Sequence, residues 1–494
     1  MNTRKKITSG ILAAAFMLSM TPNISFADRD AGLSSQYISI ADTFITKYEM
    51  MDTEKREMMS ERISMILNNI DRTTNGKKAI KFKNSNGQWR EVSATKSQRN
   101  KLYDILNYIN IEINEFDWKV NVAFSDATDL NLTLQSLLKQ HVNVALDTLR
   151  LAYDGDAGFD ASFDELDKNS VALAETIGSV YGEDAQEEFL ELWRAHIGFF
   201  ADLTIGAKTW DDDMVQEAMD NLDDYKIDAA NFFSGAIPSV KYDQVFAGAK
   251  EHGKLLTDSM LAYIDWDYEE AYSLQEQADT QIEWLANLLS GWIVEQFPNL
   301  FSNSNIDDQN EARMSPASSL RLELNDILRE HVNIALNTLR NAYDGKEDFD
   351  ASFELLDDNS VDLANLIGSV YGDEAEETFL KLWRDHINFF ANLTIGAKTW
   401  DDDMVQEAMD NLDEYKIDAA NFFSGAIPSV KYDQVFEGAK VHGKLLTDSM
   451  LAFIDEDYDE AYELQTQADA QIQGLADLLT KWITSQFPDE FSVQ

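Results

Sequence analysis

The chain of 494 residues contains six histidines and no cysteine. The histidines form two sets of three at a constant offset: His141, His196 and His252, then His331, His386 and His442. Each lies on an apolar helical stripe. His331 follows Ile327 and precedes Ala335, His386 falls between Trp383 and Phe390, and His442 follows Ala439 and precedes Leu446; steps of three and four place such residues on one helix face. Three imidazoles from three different helices can converge inside a bundle, which is one way that bundles build metal sites. Neutral imidazole suits zinc, copper, nickel or iron, and the lack of thiols argues against a soft sulfur site. The competing reading is a set of core histidines, each hydrogen-bonded to a neighbouring acid or carbonyl.

Other chemistries find less support. Asp385 adjoins His386, but Ala195 stands at the matching place in the other set, so Asp385 is not an essential ligand if both sets work. Tyr225 and Asp228, repeated as Tyr415 and Asp418, lie on a stretch of mixed polarity and suit either support of the histidines or plain packing. The acidic run Asp154–Asp160 fails as a calcium loop, because Phe159 holds the sixth position, where glycine is needed, and Glu165 at the twelfth becomes Leu355 in the second copy. No G-x-S-x-G elbow, phosphate loop or dinucleotide fingerprint is present, so the sequence favours a binding protein over an enzyme, with a metallo-oxidase or hydrolase built on the same histidines as a further reading. The Phe199-Phe200 and Phe232-Phe233 pairs, with Trp193 and Trp292, read as core or, alternatively, as walls of an apolar ligand pocket between helices.

The elements that must position these residues are duplicated. Residues 131–300 align with 321–490 without a gap, and Thr204–Phe246 differs from 394–436 only in having Asp224 for Glu414. In the second copy Leu324, Ile327, Leu328, Val332, Ala335, Leu339 and Ala342 form one stripe that ends at Tyr343-Asp344-Gly345. Asp357-Asp358-Asn359-Ser360 reads as a cap for a second helix ending at Tyr371-Gly372, and a third runs from about Asp373 to Leu393. A fourth opens at Trp400-Asp401-Asp402-Asp403 and stops near Gly425 and Pro428, and amphipathic stretches over 432–453 and 457–486 complete the unit. The expected fold is mostly α, with two tandem antiparallel helical bundles, 130–301 and 320–494, joined by a linker over 302–319. A small α+β module over 28–129 precedes them, with helix over 36–71, a hairpin over Ala79–Val92 and helix again over 97–120.

Residues 1–27 read as an export signal, with Arg4, Lys5 and Lys6 before an apolar stretch and Ser25-Phe26-Ala27 as the cleavage site, so the expected location is secreted or cell-surface. No later stretch is apolar for long enough to span a membrane. The net charge of −49 belongs almost wholly to the repeats, because residues 28–129 are near balance. A field of that sign repels phosphate backbones, which excludes nucleic acid, and attracts metal ions, basic proteins or cationic wall components. Arg329-Glu330-His331-Val332, Leu382-Trp383-Arg384-Asp385-His386-Ile387 and the tails Gln296-Phe297-Pro298 and Gln486-Phe487-Pro488 resemble a family of secreted Gram-positive helical-bundle repeat proteins. That resemblance covers both repeats; it departs at Gly253 and Gly443, where the family shows an apolar residue, and at Ala195 and Asp385, where it shows Glu. It implies a helical fold, export and histidine-based metal binding, and no particular reaction. The leading expectation is therefore a secreted acidic binding protein whose repeats each hold a transition metal through three histidines. The alternative is a structural or adhesive envelope protein that engages a basic or cation-bridged partner.

Overall fold

The computed structural model describes residues 122–301 and 308–487 apart from 428, 429 and 431, together with 490, 491 and, nearer the N-terminus, two strands and a few flanking positions. The expected export signal lies outside the described residues, as does the expected helix over 36–71 apart from positions 63 and 70. The chain divides into two compact units, 1–121 and 122–494. In the first, β1 (Lys77–Lys83) and β2 (Trp89–Thr95) pair antiparallel with Ile80 opposite Val92, which is the expected hairpin. The buried Arg99 guanidinium donates to the Ala94 carbonyl at 2.6 Å at the end of β2.

Among its described residues the second unit has helices and no strand, and it holds both repeats, whose mostly α character the fold bears out. Repeat one comprises α1 (Asp126–Asp154), α2 (Phe159–Tyr181), α3 (Glu183–Thr209), α4 (Asp212–Ala236), α5 (Tyr242–Ile264) and α6 (Tyr268–Gln296). After the short α7 (Gln309–Arg313), repeat two repeats the series as α8 (Pro316–Asp344), α9 (Phe349–Tyr371), α10 (Asp373–Thr399), α11 (Asp402–Ala426), α12 (Tyr432–Ile454) and α13 (Tyr458–Gln486). Consecutive helices pack antiparallel, and α6 closes back on α1. Helix α1 also touches α3 and α5, so it runs through the middle of its repeat, and α8 does the same in the other. That position explains why these two helices are buried on nearly every side, polar residues included.

Three features depart from the sequence reading. Helix α9 begins at Phe349, so Asp357, Asn359 and Ser360 are helix-interior residues and not caps. Each has a partner where it stands: Ser360 donates back to the Leu356 carbonyl, Asn359 donates to the Ile327 carbonyl and to Glu330, and Asp357 pairs with Arg384. Much of the expected linker is helical, because Ser315 caps a helix whose first residue is Pro316, a residue whose fixed φ suits that position. The start of repeat one also moves, from 130 to the cap at Ser125.

The two repeats meet about a pseudo-two-fold axis. The central helices α1 and α8 pack together, α6 packs on α9, and α13 packs on α2. The equivalent hydroxyls of Thr128 and Ser318 meet at 3.0 Å. This is the arrangement of an isologous homodimer built into one chain. Its polar contacts are less symmetric. Lys139 bridges Asp279 of its own repeat (3.0 Å) and Asp326 of the other (2.5 Å), Arg321 binds Asp129 and Asp477, and Lys346 binds Asp154 and Asp156. Tyr272 donates to Asp348 and Tyr462 to Asp147 across the same seam. The run rejected above as a calcium loop is a capped turn, in which Gly155 takes φ +73° and the Asp156 carboxylate accepts from the Gly158 amide.

The turn after the third helix of each repeat carries strain. Trp210 and Trp400 end their helices at φ 58°, a conformation that costs an L-residue roughly 1–2 kcal/mol, and both are 91% exposed. Little packing offsets that cost. Trp210→Gly and Trp400→Gly are each expected to leave stability unchanged or raise it by about 1 kcal/mol, read by denaturant unfolding; a loss of that size would mean that the indoles make contacts in the folded chain.

Candidate histidine centre

The six histidines reach their places because each lies on the inner stripe of its helix. His141 comes from α1, His196 from α3 and His252 from α5, the three helices that enclose the middle of repeat one. His331 (α8), His386 (α10) and His442 (α12) repeat the arrangement. His141 and His196 face each other through their Nε2 atoms at 3.2 Å. Their ring centroids are 5.2 Å apart, against 5.4 Å for His331 and His386. The third ring stands further off, with its centroid 6.5 Å from that of His141. Among the described residues, no group of three or more His, Cys, Asp or Glu side chains is arranged to hold a metal ion as it stands.

The third histidine has its proton placed by a residue the sequence reading did not single out. Gln281 donates its amide to the Gly248 carbonyl at 3.2 Å, which turns its Oε1 toward the ring; His252 Nδ1 lies 3.2 Å from that oxygen. An amide oxygen only accepts, so Nδ1 must carry the hydrogen and Nε2 keeps its lone pair. Nε2 is buried and has no partner. Gln471 does the same for His442, at 3.4 Å to the Gly438 carbonyl and 3.0 Å to the ring. Helix α6 and its counterpart have diverged around these residues, with Trp284 against Gly474, yet both keep glutamine. That retention was the available signal, and it means something only once the helices are seen to pack.

The remaining surroundings are aromatic. Trp193 lies 4.9 Å from His141 and 4.7 Å from His196 between ring centroids, and Tyr225 stacks on His196 at 4.7 Å and 22°. Trp383 and Tyr415 repeat both contacts. Tyr225 and Tyr415 are thus part of the site, whereas Asp228 and Asp418 are exposed and Asp385 pairs with Lys381 on the surface. Burial removes hydration and pushes every imidazole toward neutrality: His196 and His386 fall to about 3, His252 and His442 to about 4. His141 and His331 lie well below their ordinary value for the same reason, with the neighbouring rings adding to it. The Leu192 and Trp193 carbonyls favour a proton on His196 without forming a well-shaped hydrogen bond to its Nδ1.

The same four buried nitrogens lack a partner in each repeat: Nδ1 of the first and second histidines, Nε2 of the third, and the indole nitrogen of Trp193 or Trp383. An orphaned buried polar atom costs about 1–3 kcal/mol, and native cores hold few of them. Beside the second and third histidines a cavity of about 230 Å³ opens between α3, α4, α5 and α6, and one of about 250 Å³ occupies the same place in repeat two. Trp193, Phe200 and Phe233 line the first and serve as both core and wall, whereas Phe199, Phe232 and Trp292 pack against the core and do not line it. Comparison of the chain with protein-family models, with curated proteins and with solved structures finds no match. Among the described residues, no helix is long and apolar enough to cross a membrane.

Proposed function

We propose that this chain is an exported acidic binding protein in which each repeat holds one transition-metal ion through its three histidines: His141, His196 and His252 in the first, His331, His386 and His442 in the second. The observation that carries the reading is the 3.2 Å approach of the His141 and His196 Nε2 atoms, in a pocket where the third histidine also keeps a buried, unpartnered Nε2. Zinc–nitrogen bonds of about 2.0–2.1 Å in a tetrahedron set neighbouring nitrogens about 3.3–3.4 Å apart, so the pair already has the spacing of one edge. Binding requires the His252 ring to close on that pair. All three imidazoles are held neutral, the form that ligates, so no net proton is released at neutral pH; the hydrogen between the His141 and His196 Nε2 atoms moves to the Nδ1 of the ring that carries it. The Gln281 contact matches the hydrogen bond that metal-binding histidines commonly make from their other nitrogen. Zinc, copper, nickel and iron fit an all-imidazole set, and the acidic surface would concentrate such cations near the protein.

The mature chain, loaded in turn with each metal and washed free of excess, is expected to retain two ions per molecule by mass spectrometry. Changing the three histidines of one repeat to alanine should remove one of the two. Retention of fewer than one ion, or of ions indifferent to those changes, sinks the proposal. Gln281→Leu should leave the ion count intact but weaken repeat one by about 10–100-fold, measured by competition with a chelator of known affinity.

A further inference from the structure

The cavity beside each histidine set has a use that does not depend on a metal. It occurs in both repeats at the same place, with volumes of about 250 and 230 Å³. That is larger than the roughly 150 Å³ that admits benzene in an engineered core and smaller than the roughly 300–1,000 Å³ of pockets for drug-sized ligands. An occupant of one or two rings fits. The walls suit it: Trp193, Phe200, Leu222, Phe233 and Val245 in repeat one, with identical residues at the matching positions in repeat two.

The outer edge carries the opposite chemistry. Lys226, Lys250 and Lys254 line it in repeat one, and Lys416, Lys440 and Lys444 in repeat two. In a chain with 40 basic and 89 acidic residues, three lysines converging on one opening stand out from the surface around them. In repeat one Asp223 and Asp258 line the same edge and pair with Lys226 and Lys254, which leaves Lys250 in excess; in repeat two Asp413 and Asp448 pair with Lys416 and Lys444, and the exposed Glu437 pairs with Lys440, so a bound anion there displaces Glu437 from Lys440. Helix α5 also places a glycine at this opening. Gly253 lies inside the helix, where glycine costs about 1 kcal/mol relative to alanine, and a Cβ there would meet nothing within 4 Å. At Gly443 a Cβ would meet only Phe390, at 4.0 Å. A larger side chain at either place would grow into the opening.

We propose that each cavity binds a small aromatic carboxylate, with its ring system among the apolar walls and its carboxylate at the lysines. Burial of the rings supplies the attraction, and the lysines select the anion over an uncharged molecule of the same shape. The proposal is tested on the mature chain treated with chelator, using 1-naphthoate as the probe in titration calorimetry at physiological salt. Saturable binding with about two sites per chain is expected, and 1-naphthylmethanol, which lacks the charge, should bind at least tenfold more weakly. Lys250→Glu with Lys254→Glu and the same pair at Lys440 and Lys444 should weaken naphthoate by about tenfold and leave the alcohol unchanged. These lysines are exposed, so the variants keep their fold. Gly253→Leu with Gly443→Leu should reduce the binding of both probes at least tenfold. Absence of saturable binding, equal affinity for acid and alcohol, or indifference to the glycine changes would each overturn the assignment.

Discussion

Lys139→Ala is expected to destabilise the chain by about 3–5 kcal/mol, the usual cost of removing one partner from a buried ion pair. Lys139 is 9% exposed and holds two carboxylates, Asp279 at 3.0 Å and Asp326 at 2.5 Å, with Glu330 acting on it as well. Burial alone would favour the neutral amine, but the three acids outweigh it and raise the lysine well above its ordinary value. Without the ammonium, Asp279 and Asp326 face each other across the junction of the repeats with no cation between them. The cost therefore lies less in the lost attraction than in the charges left behind. Urea unfolding of the single variant, followed by circular dichroism, measures it. Adding Asp279→Asn and Asp326→Asn should recover most of the loss. A single variant as stable as the parent, or a triple variant no better than the single, would show that the bridge contributes little.

This junction was the part of the molecule least legible in the sequence. The helical period separates an inner face from an outer one, and for α3, α4, α5 and α6 that separation predicts the packing well. Helices α1 and α8 have no outer face to find, because each runs through the middle of one repeat and then packs on the other. Their polar residues Lys139, Asn143, Arg321 and Asn333 are buried, which the helical period does not signal. The caps assigned at Asp357, Asn359 and Ser360 failed for a related reason. Asn359 answers to α8 and Asp357 to α10, while Ser360 bonds back within α9, and a local pattern cannot separate a polar residue that caps its own helix from one that bonds inside it or reaches a neighbour.

The histidines were legible because a lone polar residue on an apolar stripe can point only inward. The sequence placed all six, and the structure brings the first and second of repeat one to contact while leaving the third apart. What spacing could not provide was the tautomer. It depends on Gln281 and Gln471, which lie 29 residues beyond the histidines they contact and have meaning only through the packing of α5 on α6 and of α12 on α13. The cavities are likewise a property of helix packing, and their traces in the sequence are aromatic residues that read equally well as core and a glycine after the third histidine of each set.

The acids at the junction also give the chain a pH dependence of definite sign. Burial, aided by Asp279 and Asp326, raises Glu330 to about 8 in spite of Lys139, and burial raises Asp279 to about 6. A carboxyl raised in the folded state binds its proton more tightly there than in the unfolded chain, where Glu titrates near 4.3 and Asp near 3.9. Its contribution is full below those unfolded values and is lost as pH rises through the folded ones, so stability should fall between pH 5 and pH 8. General repulsion in a chain of charge −49 acts in the same direction, and one substitution separates the two effects. Repeat one has Gln140 where repeat two has Glu330, and both side chains accept from the matching asparagine, Asn169 or Asn359, at 2.9 Å. Glu330→Gln therefore keeps the hydrogen bond and removes the titration. The variant's advantage over the parent should grow by on the order of 1 kcal/mol or more from pH 5 to pH 8, with a shallower slope between. Unfolding curves at both values decide the matter. Parallel profiles would mean that the acid dependence is spread over the surface and that Glu330 takes no special part in it.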